Sequence, residues 1–178
     1  GVLRALGGTA PACMVPPTPP RELAILSGIR VGKSLLAAAL AFHWSQTCDV
    51  SRLGPGEVPR VSIVSLTKDL ADVVFAHVVG RLQSSPLLSG LVLGEPQADC
   101  ITVRHPTGRP IEIKVVAGSR AGASLVARWS AGTIFDEFPR MVGESDGVVN
   151  WDDSRKSVIL RLLPGSQLVH IGSPWAPF

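Results

Sequence analysis

Residues 27–34 read SGIRVGKS and stand between two segments of different character. The preceding run ELAIL, at 22–26, is short and apolar, whereas KSLLAAALAFHWSQ, at 33–46, is rich in helix-forming residues and contains neither proline nor glycine. We therefore expect a strand, a loop and a helix in succession. A loop in this setting presents backbone N–H groups and the positive end of a helix dipole, and both attract anions.

The loop has the spacing of a phosphate-binding P-loop, in which a small residue is followed by four residues and then by Gly-Lys-Ser or Gly-Lys-Thr. Ser27 takes the first position, where glycine is common. The predicted nucleotide-binding residues are Ser27, Gly28, Ile29, Arg30, Val31, Gly32, Lys33 and Ser34. In such a loop the lysine reaches the β and γ phosphates of ATP, and the Ser34 hydroxyl binds Mg²⁺. The alternative is a Gly-Lys-Ser that starts a helix by chance.

Two carboxylates, Asp136 and Glu137, lie near the end of the apolar run GTIFDEF at 132–138. At the carboxyl end of a parallel strand beside the loop, Asp136 would hold Mg²⁺ through water, and Glu137 would orient and deprotonate an attacking water. The alternative is a solvated strand end. Ser173 ends another predicted strand, QLVHIGS at 167–173. It is expected to sense the γ-phosphate if that strand neighbours the loop strand, and is otherwise a plain turn residue before Pro174.

The remaining segments predict further strands and helices. RVSIVSL at 60–66 predicts a buried strand, and CITVRHPTGRPIEIKVVAG at 100–118 predicts a hairpin. WDDSRKSVILRLL at 151–163 predicts a helix with Asp152 and Asp153 as caps. Thr67 is expected to cap a helix whose buried face carries Leu70, Val73, Val74, His77, Val78 and Leu82. The expected class is α/β, with a mostly parallel sheet covered by helices on both faces.

Composition bounds the class of protein. Apolar residues form 46% of the chain and charged residues 17%, which favours a folded domain over disorder. The longest apolar stretch, LLAAALAF at 35–42, is shorter than a membrane span, so no membrane partner is expected. Cys13, Cys48 and Cys100 form no CxxC pair and predict reduced thiols in a cytosolic compartment. The net charge of +3 is compatible with a nucleic-acid partner but does not select one.

The motifs resemble those of the ATPase domain of the large terminase subunit, the motor that packs DNA into the heads of tailed phages and related viruses. The P-loop lacks its first glycine and contains Arg30, at a place where terminases typically carry an arginine. The Asp-Glu pair of IFDEF follows AGASLVARWSAG, at 121–132, which is similar to the Arg- and Gly-rich lead-in of that family. IGSPW, at 171–175, is similar to the family's coupling motif. The resemblance extends over residues 21–178, after a proline-rich segment at 1–20 that predicts an extended arm.

The resemblance implies a P-loop NTPase fold of the RecA-like (ASCE) type, with ATP and Mg²⁺ as cofactors. The site residues that it implies are the phosphate- and magnesium-binding Lys33 and Ser34, the Walker B aspartate Asp136, the catalytic carboxylate Glu137, the coupling-motif Ser173, and Arg30, which would contact the phosphates within the same subunit. The segment upstream of the loop matches no adenine-binding pattern, so the adenine contacts stay unassigned.

Terminase motors also use an arginine from a neighbouring subunit, because a guanidinium beside the γ-phosphate stabilises charge in the transition state. Arg128 is the first candidate and Arg120 the second, and the alternative for both is a solvated surface arginine. The resemblance further implies a homo-oligomeric ring in the cytoplasm of the infected host cell, with double-stranded DNA, the portal protein and the small terminase subunit as partners. Since the chain begins at Gly1 and ends at Phe178, we expect a fragment without the family's nuclease domain.

Two rival functions stay open from the sequence. Another RecA-like nucleic-acid-dependent ATPase, such as a helicase core, would share the carboxylate pair. A module that binds nucleotide without hydrolysing it would share the loop. Three histidines are expected to be packed or hydrogen-bonded rather than to bind metals, and the four tryptophans to lie in the core or an interface rather than to stack on DNA bases. They are His43, His77, His170, Trp44, Trp129, Trp151 and Trp175.

Overall fold

The computed structural model describes residues 19–28, 30–118, 121–141 and 150–173. Most of the predicted arm at 1–20 lies outside the described residues, as do Cys13, Pro174 and Trp175. Within these ranges six strands form one sheet: β1 Glu22–Leu26, β2 Arg60–Ser65, β3 Cys100–Arg104, β4 Pro110–Ala117, β5 Ser130–Asp136 and β6 Leu168–Gly172. Each strand falls in an apolar run of the sequence, because a sheet covered on both faces buries the side chains of such a run.

The strand order is β1-β6-β5-β2-β4-β3. Every neighbouring pair is parallel except β3 and β4, which form the antiparallel hairpin predicted at 100–118. The expected mostly parallel sheet is therefore confirmed. Because parallel strands point the same way, the residues that follow β1, β5 and β6 all emerge at one edge of the sheet.

Helices cover both faces of the sheet. Their bounds are α1 Lys33–Thr47, α2 Lys68–Ser84, the single-turn α3 Pro86–Ser89, α4 Ala121–Val126 and α5 Trp151–Ile159. Neighbouring residues of β2 separate the two cores. Ile63 belongs to the core beneath α1 and α2, whereas Val64 belongs to a second core that includes Leu125 of α4 and Val158 of α5. In the described residues, no helix is both long and apolar enough to cross a bilayer.

The start of α2 was predicted correctly, but its buried face was predicted only in part. The Thr67 hydroxyl accepts a hydrogen bond from the Leu70 backbone N–H at 3.3 Å, as expected of an N-cap. Leu70, Val73 and His77 are nevertheless exposed. The buried residues are Ala71, Val74, Phe75, Val78 and Leu82. Apolar residues surround much of this helix, so their pattern alone does not select the side that packs against α1 and the sheet.

The last helix, α5, is shorter than predicted. It ends at Ile159 rather than near Leu163, because the chain turns back to pair with the start of β5. Ser130 donates its backbone N–H to Arg161 and accepts one from Leu163, both at 2.9 Å. Asn150 caps the helix by accepting the N–H of Asp152 at 2.9 Å, and the predicted caps Asp152 and Asp153 lie in the first turn.

A glycine allows close packing between α1 and β5, the strand that ends at Asp136. Gly132 of β5 has φ +147°, and a Cβ built there would lie 2.2 Å from the indole of Trp44. Trp44 is one of the largest fully buried side chains. The register of β5 against β2 shifts beside Gly132, between Arg60 and Val61. The missing side chain therefore allows α1 to pack directly on the backbone of β5.

Gly132→Ala is expected to lower the free energy of unfolding by about 2–4 kcal/mol, because the new methyl group overlaps Trp44 and the backbone angle disfavours alanine. Urea unfolding measures the change. Gly80→Ala is the matched control, since Gly80 lies exposed in α2 with no atom within 4 Å of the built Cβ. That variant should gain up to about 1 kcal/mol from helix propensity. Equal midpoints for the two variants would contradict the packing of Trp44 on Gly132.

Candidate functional site

The loop that follows β1 is tied to the end of β6. The backbone N–H of Ser27 donates to the Gly172 carbonyl at 3.0 Å and so extends the pairing of the two strands by one bond. The loop then leads into α1, whose N-cap is Gly32 with φ 89°. Gly32 accepts the first helical hydrogen bond, from Leu36 at 2.9 Å. The sequence therefore forms the expected strand, loop and helix N-terminus.

The described loop residues are arranged for close approach by an anion. Arg30 has φ 62°, a left-handed conformation that costs a non-glycine residue about 1–2 kcal/mol. Gly28, Arg30, Val31 and Gly32 are exposed, so their backbone is accessible at the start of α1. Ile29, the remaining predicted loop residue, lies outside the described residues. An exposed loop with left-handed backbone before a helix N-terminus fits phosphate oxygens.

The ammonium of Lys33 is held by oxygens from three elements. Its Nζ donates to the Gly28 carbonyl at 2.9 Å and to the Ser173 Oγ at 2.7 Å. The same atom lies 3.6 Å from Oε1 of Glu137. The loop, the end of β6 and the end of β5 therefore converge on one lysine.

Glu137 stands in a sharp turn directly after β5. It has φ 56° and ψ 40°, which is left-handed and unfavourable for glutamate. Its Oε1 accepts the Ser173 hydroxyl at 3.1 Å, and its Oε2 accepts the Ser173 backbone N–H at 3.3 Å. Ser173 thus accepts a hydrogen bond from Lys33 and donates two to Glu137. The side chains of Lys33 and Glu137 are only 12% and 19% exposed, so the ion pair is partly shielded from water.

Asp136 is the most buried charged residue of this group, at 7% exposed. Burial raises its pKa from 3.8 to about 6, and the neighbouring Glu137 charge adds to this increase, while Lys33 opposes it. A carboxyl group in such a place has too little positive charge nearby to stay ionised without cost. A divalent cation beside Asp136 would favour its charged form.

Among the described residues, two oxygen groups near Lys33 are the candidates for binding such a cation. One is the Asp136 carboxylate, and the other is the hydroxyl of Ser34, which is partly buried in the first turn of α1. The described part of the chain contains no group of three or more His, Cys, Asp or Glu residues that could hold a metal ion. This donor set fits Mg²⁺, which is usually bound through one or two protein oxygens, waters and substrate phosphates.

The structure brings together most of the residues that the sequence selected. The role predicted for Ser173 required its strand to neighbour the loop strand, and β6 does lie beside β1. In the sheet, β6 lies between β1 and β5, so the strand that ends at Asp136 is not a direct neighbour of the loop strand. Glu137 still reaches Lys33, because the turn after β5 crosses the end of β6.

Arg128 is not brought to this edge. It precedes β5, so it lies at the amino end of that strand, where its guanidinium is 3.4 Å from Glu112 and donates to the Val58 carbonyl at 3.3 Å. Arg128 therefore cannot act on a ligand bound to Lys33 of the same chain. Arg120, the second candidate, lies outside the described residues.

Two residues of the site were missed from the sequence. A Cβ on Gly172 would lie 2.6 Å from Cδ of Pro139, so the turn after Glu137 packs directly on the backbone of β6. The available signals were a glycine immediately before Ser173 and a proline two residues after Glu137. Neither signal indicates a contact without the strand order, because 33 positions of sequence, from 139 to 172, separate the two residues.

Comparison with known proteins gives a fold but no sequence match. No protein-family model matches the chain, and no curated protein matches it. Among solved structures, the fold is similar to the large terminase of bacteriophage HK97, with a TM-score of 0.61 and 17% identity over 88% of this chain and 30% of that one. It is also similar to the large terminase ATPase domain of Thermus phage P74-26, with a TM-score of 0.58 and 17% identity over 89% of this chain and 61% of that one.

A third similar structure is the large terminase of another thermophilic bacteriophage, with a TM-score of 0.54 and 14% identity over 85% of this chain and 32% of that one. The chain spans less than two thirds of the length of each of these structures. At such identities the likeness establishes the fold, which is the RecA-like α/β fold of large terminase ATPase domains.

Asp136→Asn is expected to stabilise the protein above pH 6 and not below pH 3.8, when nucleotide and divalent cations are absent. In the folded state the carboxyl keeps its proton up to about pH 6, so the contribution of Asp136 to stability falls as the pH rises from 3.8 to about 6. Asparagine avoids this loss, which amounts to roughly 3 kcal/mol. Urea unfolding between pH 3 and 8 in EDTA measures it. The exposed Asp72→Asn on α2 should show no such gain, and a pH-independent difference for Asp136→Asn would contradict the assignment.

Proposed function

We propose that this chain is the ATP-hydrolysing motor domain of a viral large terminase subunit, which drives double-stranded DNA into a procapsid. The observation that carries the proposal is the meeting of Lys33, Glu137 and Ser173 in one hydrogen-bonded group at the carboxyl edge of the sheet. Hydrolysis of a nucleoside triphosphate uses a P-loop lysine to bind the phosphates and a carboxylate to activate water, and here the two groups lie side by side. The fold shared with terminase ATPase domains supports the motor role.

In this proposal the loop binds the triphosphate of ATP. The exposed backbone at Gly28 and Gly32 and the N-terminus of α1 would donate to phosphate oxygens, and Lys33 would move from the Gly28 carbonyl to the β and γ phosphates. Ser34 and Asp136 would hold Mg²⁺. The bound ion supplies positive charge that neutralises the phosphate oxygens.

Glu137 would act as the general base. Ser173 supplies two hydrogen bonds to its carboxylate, one to each oxygen, and these fix the direction of the group. A carboxylate oxygen has two lone pairs, so each oxygen can still accept a proton from water. The Ser173 hydroxyl also accepts a hydrogen bond from Lys33, so a movement of this lysine on binding phosphate would be transmitted to Glu137 through that hydroxyl. This link is the basis for proposing a coupling role for Ser173.

The remaining roles concern neighbouring molecules. Arg30 is exposed in the loop and would contact the phosphates within its own subunit. Arg128 would act only on the nucleotide of a neighbouring subunit in a homo-oligomeric ring, after release from Glu112. As partners of the ring we propose double-stranded DNA, the portal protein and the small terminase subunit, with the host-cell cytoplasm as the place of action.

Lys33→Ala is expected to abolish ATP binding and turnover, because the phosphates lose the cation of the loop. Equilibrium binding of a fluorescent ATP analogue and phosphate release measure the two effects. Lys156→Ala is the matched control, since Lys156 is an exposed lysine of α5 that pairs with Asp152. Unchanged turnover in Lys33→Ala would reject the site. Stimulation by double-stranded DNA without strand separation would support the packaging motor over a helicase.

Glu137→Gln is expected to leave ATP bound while turnover falls by about 10²–10⁴-fold, because an amide cannot accept the proton of water. Single-turnover hydrolysis together with equilibrium nucleotide binding separates the two effects. Glu95→Gln, at an exposed glutamate between α3 and β3, should leave turnover intact. Wild-type turnover in Glu137→Gln would remove Glu137 as the base.

A further inference from the structure

The turn that carries Glu137 needs support from outside itself. Glu137 is followed by a single 3₁₀ turn, Phe138–Arg140, which is closed by hydrogen bonds from Arg140 to Glu137 and from Met141 to Phe138, both at 3.0 Å. These bonds keep the turn compact but do not orient it on the sheet. Because Glu137 is held in an unfavourable left-handed conformation, neighbouring contacts must maintain it.

One side of the turn rests on β6. The absence of a side chain at Gly172 lets Pro139 approach the strand backbone, since a built Cβ would lie 2.6 Å from Pro139. This contact sets the height of the turn above the strand that leads into Ser173. This contact alone does not fix the rotation of the turn, because the Pro139 ring can slide over a backbone that presents no side chain at Gly172.

The other side of the turn is held by Phe138, whose ring packs against two aromatic residues that also contact each other. Its centroid lies 5.4 Å from His170 of β6 and 5.8 Å from Trp151 of α5. Trp151 and His170 contact each other edge to face at 5.2 Å, and Phe135 stacks on His170 at 5.6 Å. Aromatic pairs at such separations favour particular orientations as well as burying apolar area. Phe138 is thus confined in both position and rotation.

The His170 ring is itself fixed from both nitrogens. Trp151 Nε1–H donates to Nδ1 at 3.0 Å, so Nδ1 accepts and the ring proton lies on Nε2, which donates to Glu22 at 2.6 Å. Arg155 of α5 holds the same Glu22 carboxylate through two hydrogen bonds, at 2.5 and 2.6 Å. Burial lowers the pKa of His170, in agreement with a neutral ring. The ring therefore has one tautomer and one orientation.

We propose that Trp151 and His170 are positioning residues for ATP hydrolysis, which hold Phe138 so that the Glu137 carboxylate stays on Ser173 and directed at the attacking water. The inference rests on the proposed role of Glu137 as the base. His170 points away from Ser173, since the two are three positions apart on an extended segment and face opposite sides of the sheet. Trp151 and His170 therefore act through Phe138 rather than on the nucleotide.

The test compares turnover with nucleotide affinity. Phe138→Ala and Trp151→Ala should lower kcat by about tenfold or more, because misplacement of the base slows the reaction. The Kd of the ATP analogue should stay within about twofold, because the phosphate-binding loop is untouched. Phe138→Tyr and Trp151→Phe, which keep the rings, should restore most of the turnover. Phe75→Ala is the control, since it removes an aromatic ring from the other core, beneath α2.

A second measurement does not depend on activity. The Ser173 amide is hydrogen-bonded to Glu137, so its hydrogen exchange should accelerate in Phe138→Ala relative to the Ile171 amide of the preceding strand, and not in Phe75→Ala. Wild-type turnover and exchange in Phe138→Ala, or an equal loss of kcat in Phe75→Ala, would overturn the proposal. If the wild-type chain hydrolyses no ATP but the exchange of Ser173 still accelerates, the proposed function fails while the positioning contact stands.

Discussion

The parallel placement of β6 between β1 and β5 is the constraint on which the rest of the structure depends. Ile171 of β6 lies opposite Ile25 on one side and opposite Asp136 on the other, so the ladder hydrogen bonds fix where all three strands end. Their following residues then emerge at one edge. Backbone pairing thus assembles the site, and the hydrogen bonds of Ser173 make only its final contacts.

The site combines several features that are unfavourable locally. Asp136 is buried with its pKa raised, and Glu137 and Arg30 have left-handed backbones. Functional sites commonly contain such features, which the rest of the fold must offset. Here the two cores beneath the helices offset these unfavourable free energies, because they bury apolar side chains from both faces of the sheet. The apolar cores of the molecule therefore lie below the edge that carries the candidate site.

Local patterns were enough to predict the strands, the loop and the candidate residues. SGIRVGKS and the Asp-Glu pair each follow an apolar run, and the residues that identify each motif are adjacent in the chain. Both motifs can therefore be recognised without knowing the fold. Features set by distant contacts were not predictable in this way. The place of β6 beside β5, the buried side of α2 and the approach of Pro139 to Gly172 all depend on how elements pack, which periodicity does not encode.

The contact of Trp44 with Gly132 has a mechanical consequence. It packs the helix that begins at Lys33 directly against the backbone of the strand that ends at Asp136, because Gly132 has no side chain to separate them. Close-packed interiors resist compression, so this helix and strand behave as a single stiff body. Any movement of this body relative to its neighbours would therefore take place in the segments that join it, at the loop before α1 and at the turn that begins with Glu137.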